Sequence, residues 1–270
     1  MDDLLSFDAY CFDLDGTIFI GDRLLPGVLD TIMALRQRGK KVMFLTNTSV
    51  HTRQDCQRRL ARLELECQVD EIMTATYVSG MYFQEHAPNA VIFMVGEAAM
   101  KEELRQFAVR MTENPLEATH VLVGMDRQFT YDKLHGAAKA IRNGAKLIAA
   151  NPDTCCPVVD DVIPDTGALV KALEAAGQSQ LDVVIGKPSA YYAAKSIQQL
   201  GLKSERCLMV GDRLETDILL GLNNGMKTAL VLTGIASRED IDNMQIYPDY
   251  VISTLGEMVR GTKGLYTAQL

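Results

Sequence analysis

Two carboxylates stand two positions apart in Asp13-Leu14-Asp15-Gly16-Thr17, directly after the short apolar run Ala9-Tyr10-Cys11-Phe12. A carboxylate at a strand exit is a nucleophile. A second one beside it can move a proton, so the pair suits phosphoryl chemistry on an aspartate. Three further stretches follow apolar runs in the same way. Thr46-Asn47-Thr48-Ser49 offers hydroxyls, an amide and main-chain N–H groups for a phosphate. Gly186-Lys187-Pro188 brings one ammonium to the end of Val183-Val184-Ile185, with proline setting the chain direction behind it. Gly211-Asp212-Arg213-Leu214-Glu215-Thr216-Asp217 puts two acids on a loop after Cys207-Leu208-Met209-Val210.

Each stretch alone admits a plainer role. Asp-x-Asp-Gly is common in turns and in calcium loops. The threonines and Asn47 are helix-cap residues, and they offer an N-cap to a helix from about Thr52 to Leu63. Lys187 could be a surface charge, and Asp217 could answer a helix dipole. The coincidence of all four is more specific. Asp13, Asp15 and Asp212 at one sheet edge would repel one another unless a cation lay between them, and hard oxygen ligands suit Mg²⁺. An aspartate 4 Å from a phosphate dianion faces about 8 kcal/mol of repulsion at an effective dielectric of 20. The metal and Lys187 are the charges that would offset it.

The elements that must position these residues follow from hydrophobic periodicity. Val28, Ile32 and Leu35 share one helix face, Val42–Leu45 reads as a second strand, and the order β-α-β-α implies a parallel sheet with helices on its faces. Val91–Val95, Val121–Val123 and Leu147–Ala149 read as the strands of a second such series. The first pattern resumes after Pro188 with a helix around Tyr191–Leu200, the strand to Val210, a helix near Ile218–Asn223 and the strand Ala229–Leu232. At 270 residues, with 47% apolar and 23% charged, the chain suits two domains or one domain with a large insertion. A net charge of −8 with no basic block argues against nucleic acid or an anionic membrane as partner. The basic stretch Arg53, Arg58, Arg59, Arg62 is expected as a solvated helix face. Six cysteines without metal-ligand spacing, an acidic Met1-Asp2-Asp3 start and the lack of a membrane-length apolar run point to a reducing cytoplasm.

Taken together, the four stretches resemble the motifs of the haloacid dehalogenase superfamily, in its NagD-like branch with a type-IIA cap. Gly124-Met125-Asp126-Arg127, Asn151-Pro152-Asp153 and Leu230-Val231-Leu232-Thr233-Gly234 resemble stretches particular to that branch. The resemblance implies a Rossmann-like doubly wound α/β core with an inserted α/β cap. The core would span residues 1–81 and 182–270, and the cap residues 82–181. It implies Asp13 as nucleophile, Asp15 as acid and base, and Mg²⁺ held by Asp13, the Asp15 carbonyl and Asp212, with Asp217 in support. Thr46, Asn47, Thr48 and Lys187 would bind the phosphoryl group, and Cys156 in the cap loop would face the leaving group. The vicinal Cys155-Cys156 pair is expected to serve as small side chains. Two positions depart from the branch pattern, Ala150 for a threonine and Asp165 for a glycine. The expectation is a Mg²⁺-dependent phosphomonoester hydrolase for small phosphorylated metabolites, sugar phosphates or nucleoside monophosphates, with a cap-mediated homodimer implied. Its alternatives are a phosphomutase and a phosphometabolite sensor without turnover.

Overall fold

The computed structural model describes residues 4–158 and 161–260. The first strands are β1 (Ala9–Phe12), β2 (Phe19–Ile20), β3 (Arg23–Leu24), β4 (Lys41–Thr46) and β5 (Ile72–Thr74). Next come β6 (Val91–Val95), β7 (Arg110–Thr112), β8 (His120–Val123), β9 (Lys146–Ala149), β10 (Cys155–Val158) and β11 (Asp161–Pro164). The last are β12 (Val183–Val184), β13 (Cys207–Gly211), β14 (Lys227–Val231) and β15 (Tyr250–Ile252). The chain forms two compact units. One comprises Met1–Thr46, Gln57–Met73 and Ala193–Leu270, and the other Asn47–Cys56 and Thr74–Tyr192.

The first unit is built on a six-stranded sheet of order β15-β14-β13-β1-β4-β5. Strand β1 pairs in parallel with both β4 and β13. All four of its side chains, Ala9 to Phe12, have no exposure, as expected of a strand covered on both faces. From β1 the sheet grows one way to β4 and β5, and then the chain returns to lay β13 on the other side. The gap between β1 and β13 is therefore the switch point of the sheet, where doubly wound folds hold ligands outside the carboxyl ends of their strands. Helix α1 (Val28–Gln37) buries Val28, Ile32 and Leu35, the face that the sequence marks. Burial pushes the Cys207 thiol up to about 11 and the Cys67 thiol up to about 12, so both serve as small hydrophobes.

The second unit holds a five-stranded sheet of order β12-β9-β8-β6-β7, with every pair parallel. Its core gathers Val121, Val123, Leu147 and Ala149 from the strands against Ala137, Ile141, Val170 and Leu173 from two helices. Its helices are α2 (Arg53–Arg62, whose first turn lies here), α3 (Ala75–His86), α4 (Ala98–Arg105), α5 (Tyr131–Arg142) and α6 (Thr166–Gly177). Strands β10 and β11 form a separate antiparallel hairpin. No helix of the described residues is long and apolar enough to cross a membrane.

Two local expectations are corrected. The cap of α2 is Thr52, not the Thr46–Ser49 stretch: Thr52 Oγ1 accepts from Asp55 N at 3.1 Å while Thr52 N donates to Asp55 Oδ2 at 3.0 Å. The four arginines are also not one solvated face. Arg58 and Arg62 are exposed, but Arg53 is buried. Arg53 N donates to Glu103 Oε2 at 2.8 Å, its Nε lies 3.3 Å from Oε1, and its Cζ sits 3.4 Å from the Tyr77 ring centroid. Charge period alone cannot reveal a buried partner 50 residues away. Burial raises the Glu103 carboxyl above its usual range, and Arg53 only partly opposes this. Removing the acid would strand a buried guanidinium. Glu103→Ala is expected to lower unfolding free energy by about 3–5 kcal/mol in urea titrations. A loss below 1 kcal/mol would show that the pair is dispensable.

Candidate active site

Asp13 follows β1 and Asp212 ends the turn out of β13, so the two acids leave adjacent parallel strands at the switch point. Asp13 N donates to Val210 O at 2.9 Å, which holds that exit in register. Asp217 joins them from the single wide helical turn Leu214–Ile218. One carboxylate oxygen from each of Asp13, Asp212 and Asp217 lies within 4.8 Å of the others, and all three residues are buried. The acids are oriented by main-chain donors: Asp212 Oδ2 accepts from Ile235 N at 2.8 Å and Asp217 Oδ2 from Arg213 N at 3.1 Å.

Glycines make this approach possible. Gly16 has φ of +89°, and a Cβ on it would collide with the Asp212 carboxylate. A Cβ on Gly234 would strike the same carboxylate. Thr233 Oγ1 donates to Gly16 O at 2.7 Å and so ties the two glycine segments together.

The Asp15 side chain does not belong to that trio. Its Oδ1 lies 3.6 Å from Arg59 Nη1, and Arg59 also donates from Nη2 to Gly21 O at 2.8 Å. The guanidinium rests on the Phe19 ring, with Cζ 3.9 Å from the centroid. The Asp15 carboxylate is half-exposed, and its backbone runs into the Gly16 turn.

The second unit holds Asn47, Thr48, Lys187 and Cys156, while Thr46 ends β4 in the first unit. Lys187 N donates to Asn47 Oδ1 at 2.8 Å, and Asn47 Nδ2 donates to Lys187 O and to Asp153 Oδ2, both at 3.1 Å. Asn151 Nδ2 donates to Asn47 O at 2.7 Å, and Asp153 N to Asn151 Oδ1 at 3.0 Å. Gly186 must be glycine here, because a Cβ would meet Ala150 O and Asn47 Oδ1. The Asn47 amide is committed to holding the Lys187 backbone, so what it leaves for a phosphoryl group is its main-chain N–H. Lys187 is 1% exposed, an unusual state for an ammonium and costly without anionic or dipolar company.

Nearby segments are anchored within the same unit. Ser49 Oγ accepts from Met125 N at 2.8 Å, and Thr48 is half-buried. Asp165 caps α6 by accepting from Thr166 N, which gives this departure from the branch pattern a structural role. Cys155 and Cys156 are half-buried on β10 and are not joined in a disulfide. Cys156 lies close enough to Arg127 to raise its pKa, although the Glu97 carboxylate, paired with Arg127 at 2.7 Å, is the larger cause.

Residues 10–110 match the model of the haloacid dehalogenase-like hydrolase family, and residues 184–258 match a HAD-hydrolase-like model. The chain is 33% identical to the sugar-phosphatase AraL of Bacillus subtilis, over 92% of this chain and 90% of that protein. The chain belongs to the haloacid dehalogenase-like hydrolases. Within them it is a NagD-like phosphatase. The fold resembles 4-nitrophenylphosphatase from Thermotoga maritima with a TM-score of 0.91 at 31% identity, covering 96% of this chain and 98% of that one. It resembles NagD of E. coli K-12 with a TM-score of 0.85 at 28% identity, covering 93% and 98%.

Sequence reasoning missed the hub role of Asn47 in this hydrolase, and with it Asn151 and Asp153 as its supports. An Asn flanked by threonines signals a cap or a phosphate cradle, not a side chain that holds another segment of the chain. Its partners stand 104 to 140 residues further on. Arg59 was missed because its contacts to Asp15 and Phe19 form only in the fold. Asn47→Ala leaves Lys187 N and the Asp153 carboxylate without this buried amide. Its expected cost is about 2–4 kcal/mol in chemical denaturation. An unchanged midpoint would mean that the lysine is held by other means.

Proposed function

We propose that the protein is a Mg²⁺-dependent phosphomonoester hydrolase that works through an aspartyl-phosphate on small phosphorylated metabolites, sugar phosphates foremost. The observation that carries this reading is the buried Asp13–Asp212–Asp217 trio at the switch point of a parallel sheet. Similarity to sugar phosphatases over nearly the whole chain supports the substrate class. The donor set fits the metal: carboxylates are hard oxygen ligands, and the missing side chains of Gly16 and Gly234 leave the Asp212 carboxylate room. Asp13, Asp212 and the Asp15 carbonyl would hold Mg²⁺, with Asp217 in support. Bound there, it supplies positive charge to the substrate phosphate.

Asp13 attacks phosphorus, the bond to the leaving oxygen breaks, and Asp15 gives that oxygen its proton. Asp15, now a carboxylate, takes a proton from water. The water oxygen bonds to phosphorus, the bond to Asp13 breaks, and phosphate leaves with Asp13 and the protonated Asp15 restored. Thr46, Thr48 and the Asn47 main-chain N–H bind the phosphoryl oxygens, and Lys187 offsets their charge. Residues 82–181, within the second unit, act as the cap that selects the leaving group, with Cys156 on its loop.

Phosphate release from p-nitrophenyl phosphate and from a panel of sugar phosphates tests the reading. Asp13→Asn is expected to lower kcat by at least about a thousandfold. Chelation with EDTA should stop release, and added Mg²⁺ should restore it. An active Asp13→Asn protein would remove the aspartyl-phosphate. Asp15→Asn separates the acid role by leaving group. It should cost about 10²–10⁴-fold on a sugar phosphate and clearly less on p-nitrophenyl phosphate, whose leaving group departs without help. Equal losses on both would assign Asp15 another task.

A further inference from the structure

A cleft of about 530 Å³ opens in the second unit at the carboxyl ends of β6 and β7. None of the residues that line it belongs to the carboxylate trio or to the Asn47–Lys187 network. Its apolar wall is Phe93, Met94 and Met111, and its charged groups are Lys101, Arg105, Lys133 and Glu113. Three cations against one carboxylate is a local reversal in a chain of net charge −8.

The three cations are not equivalent. Lys133 Nζ is held 2.6 Å from Asp126 Oδ2, whose side chain has no exposure, so its place is set by the protein itself. Lys101 and Arg105 stand one turn apart on α4, and their side chains make no ion pair or hydrogen bond among the described residues. Adjacent like charges on a helix repel each other unless an anion joins them. Cleft volume, an apolar wall and convergent unspent charges are the attributes of a small-molecule site, and the ends of parallel strands are where such sites form.

We propose that this cleft is a second ligand site of the protein, for an anionic metabolite with a flat apolar body, of the nucleoside monophosphate class. The phosphate pairs with Lys101 as a point charge and with Arg105 as a bidentate partner. The base lies against Phe93, Met94 and Met111, and Glu113 accepts from an amino or hydroxyl group. Beside the cleft, Glu97 is the N-cap residue of α4, and its carboxylate grips Arg127 through Nε and Nη2 at 2.7 Å each.

Calorimetric titration of the Asp13→Asn protein with adenosine 5′-monophosphate tests the proposal without turnover. Adenosine is expected to bind at least tenfold more weakly than the monophosphate. The charge reversals Lys101→Glu and Arg105→Glu together should weaken the monophosphate at least tenfold, and Lys101→Gln with Arg105→Gln should shift it the same way. In the parent background, the paired reversals should leave p-nitrophenyl phosphate hydrolysis within twofold. Absence of binding, or an affinity indifferent to both pairs of substitutions, overturns the site. Adenosine binding as tightly as the monophosphate overturns its anionic character. Loss of p-nitrophenyl phosphate hydrolysis by the parent would instead count against the hydrolase reading, since the titration needs none.

Discussion

Three buried carboxylates within 4.8 Å of one another are the constraint around which the first unit is arranged. Like charges so close are tolerable only beside a cation or with protons retained. The fold brings them there all the same. Two of the acids lie on the exits of neighbouring parallel strands, and the third sits on a wide helical turn that aims it back. Glycines at positions 16 and 234 remove the atoms that would keep Asp212 away. Any side chain there would force the carboxylate to move. Three carboxylates held this way are a donor set suited to a hard cation.

The second unit solves a different electrostatic problem. Lys187 is buried, and a buried ammonium must have its position and surroundings set by other groups. Asn47 does this with both ends of its amide, and Asn151 and Asp153 hold Asn47 in turn. The Arg53–Glu103 pair fastens the start of α2, a few residues on, to α4. A polar network of this kind is stiff because every member has its partners. Asn47, Lys187 and the Asn151–Asp153 segment therefore belong to one packed body.

Much of this was legible in the chain. The apolar runs Ala9–Phe12 and Val91–Val95 coincide with β1 and β6, and Asp13 and Asp212 directly follow β1 and β13. Short or polar strands escaped. Strand β7, Arg-Met-Thr, has no apolar run, and β12 keeps only two residues of Val183–Ile185. Both are strands because neighbours pair with them, which is a property of the sheet and not of three residues. The arginine stretch misled for the same reason. Charge at helical spacing says which residues share a face, and only packing says that Arg53 is covered by Tyr77 and Arg59 by Phe19.

The sequence by itself determined the reaction class, hydrolysis of phosphate esters, and marked its candidate positions, because Asp13 and Asp212 each follow an apolar run at a strand exit, and strand exits in a parallel α/β sheet face one way. Tertiary structure alone decided which groups hold which. Asn47 supports Lys187 and does not cap a helix, Asp217 stands level with Asp13 and Asp212, Asp15 leans on Arg59, and two free cations of α4 face a cleft. Those pairings join residues as much as 204 positions apart, and no local pattern encodes a contact whose geometry exists only once distant strands have taken their places in the sheet.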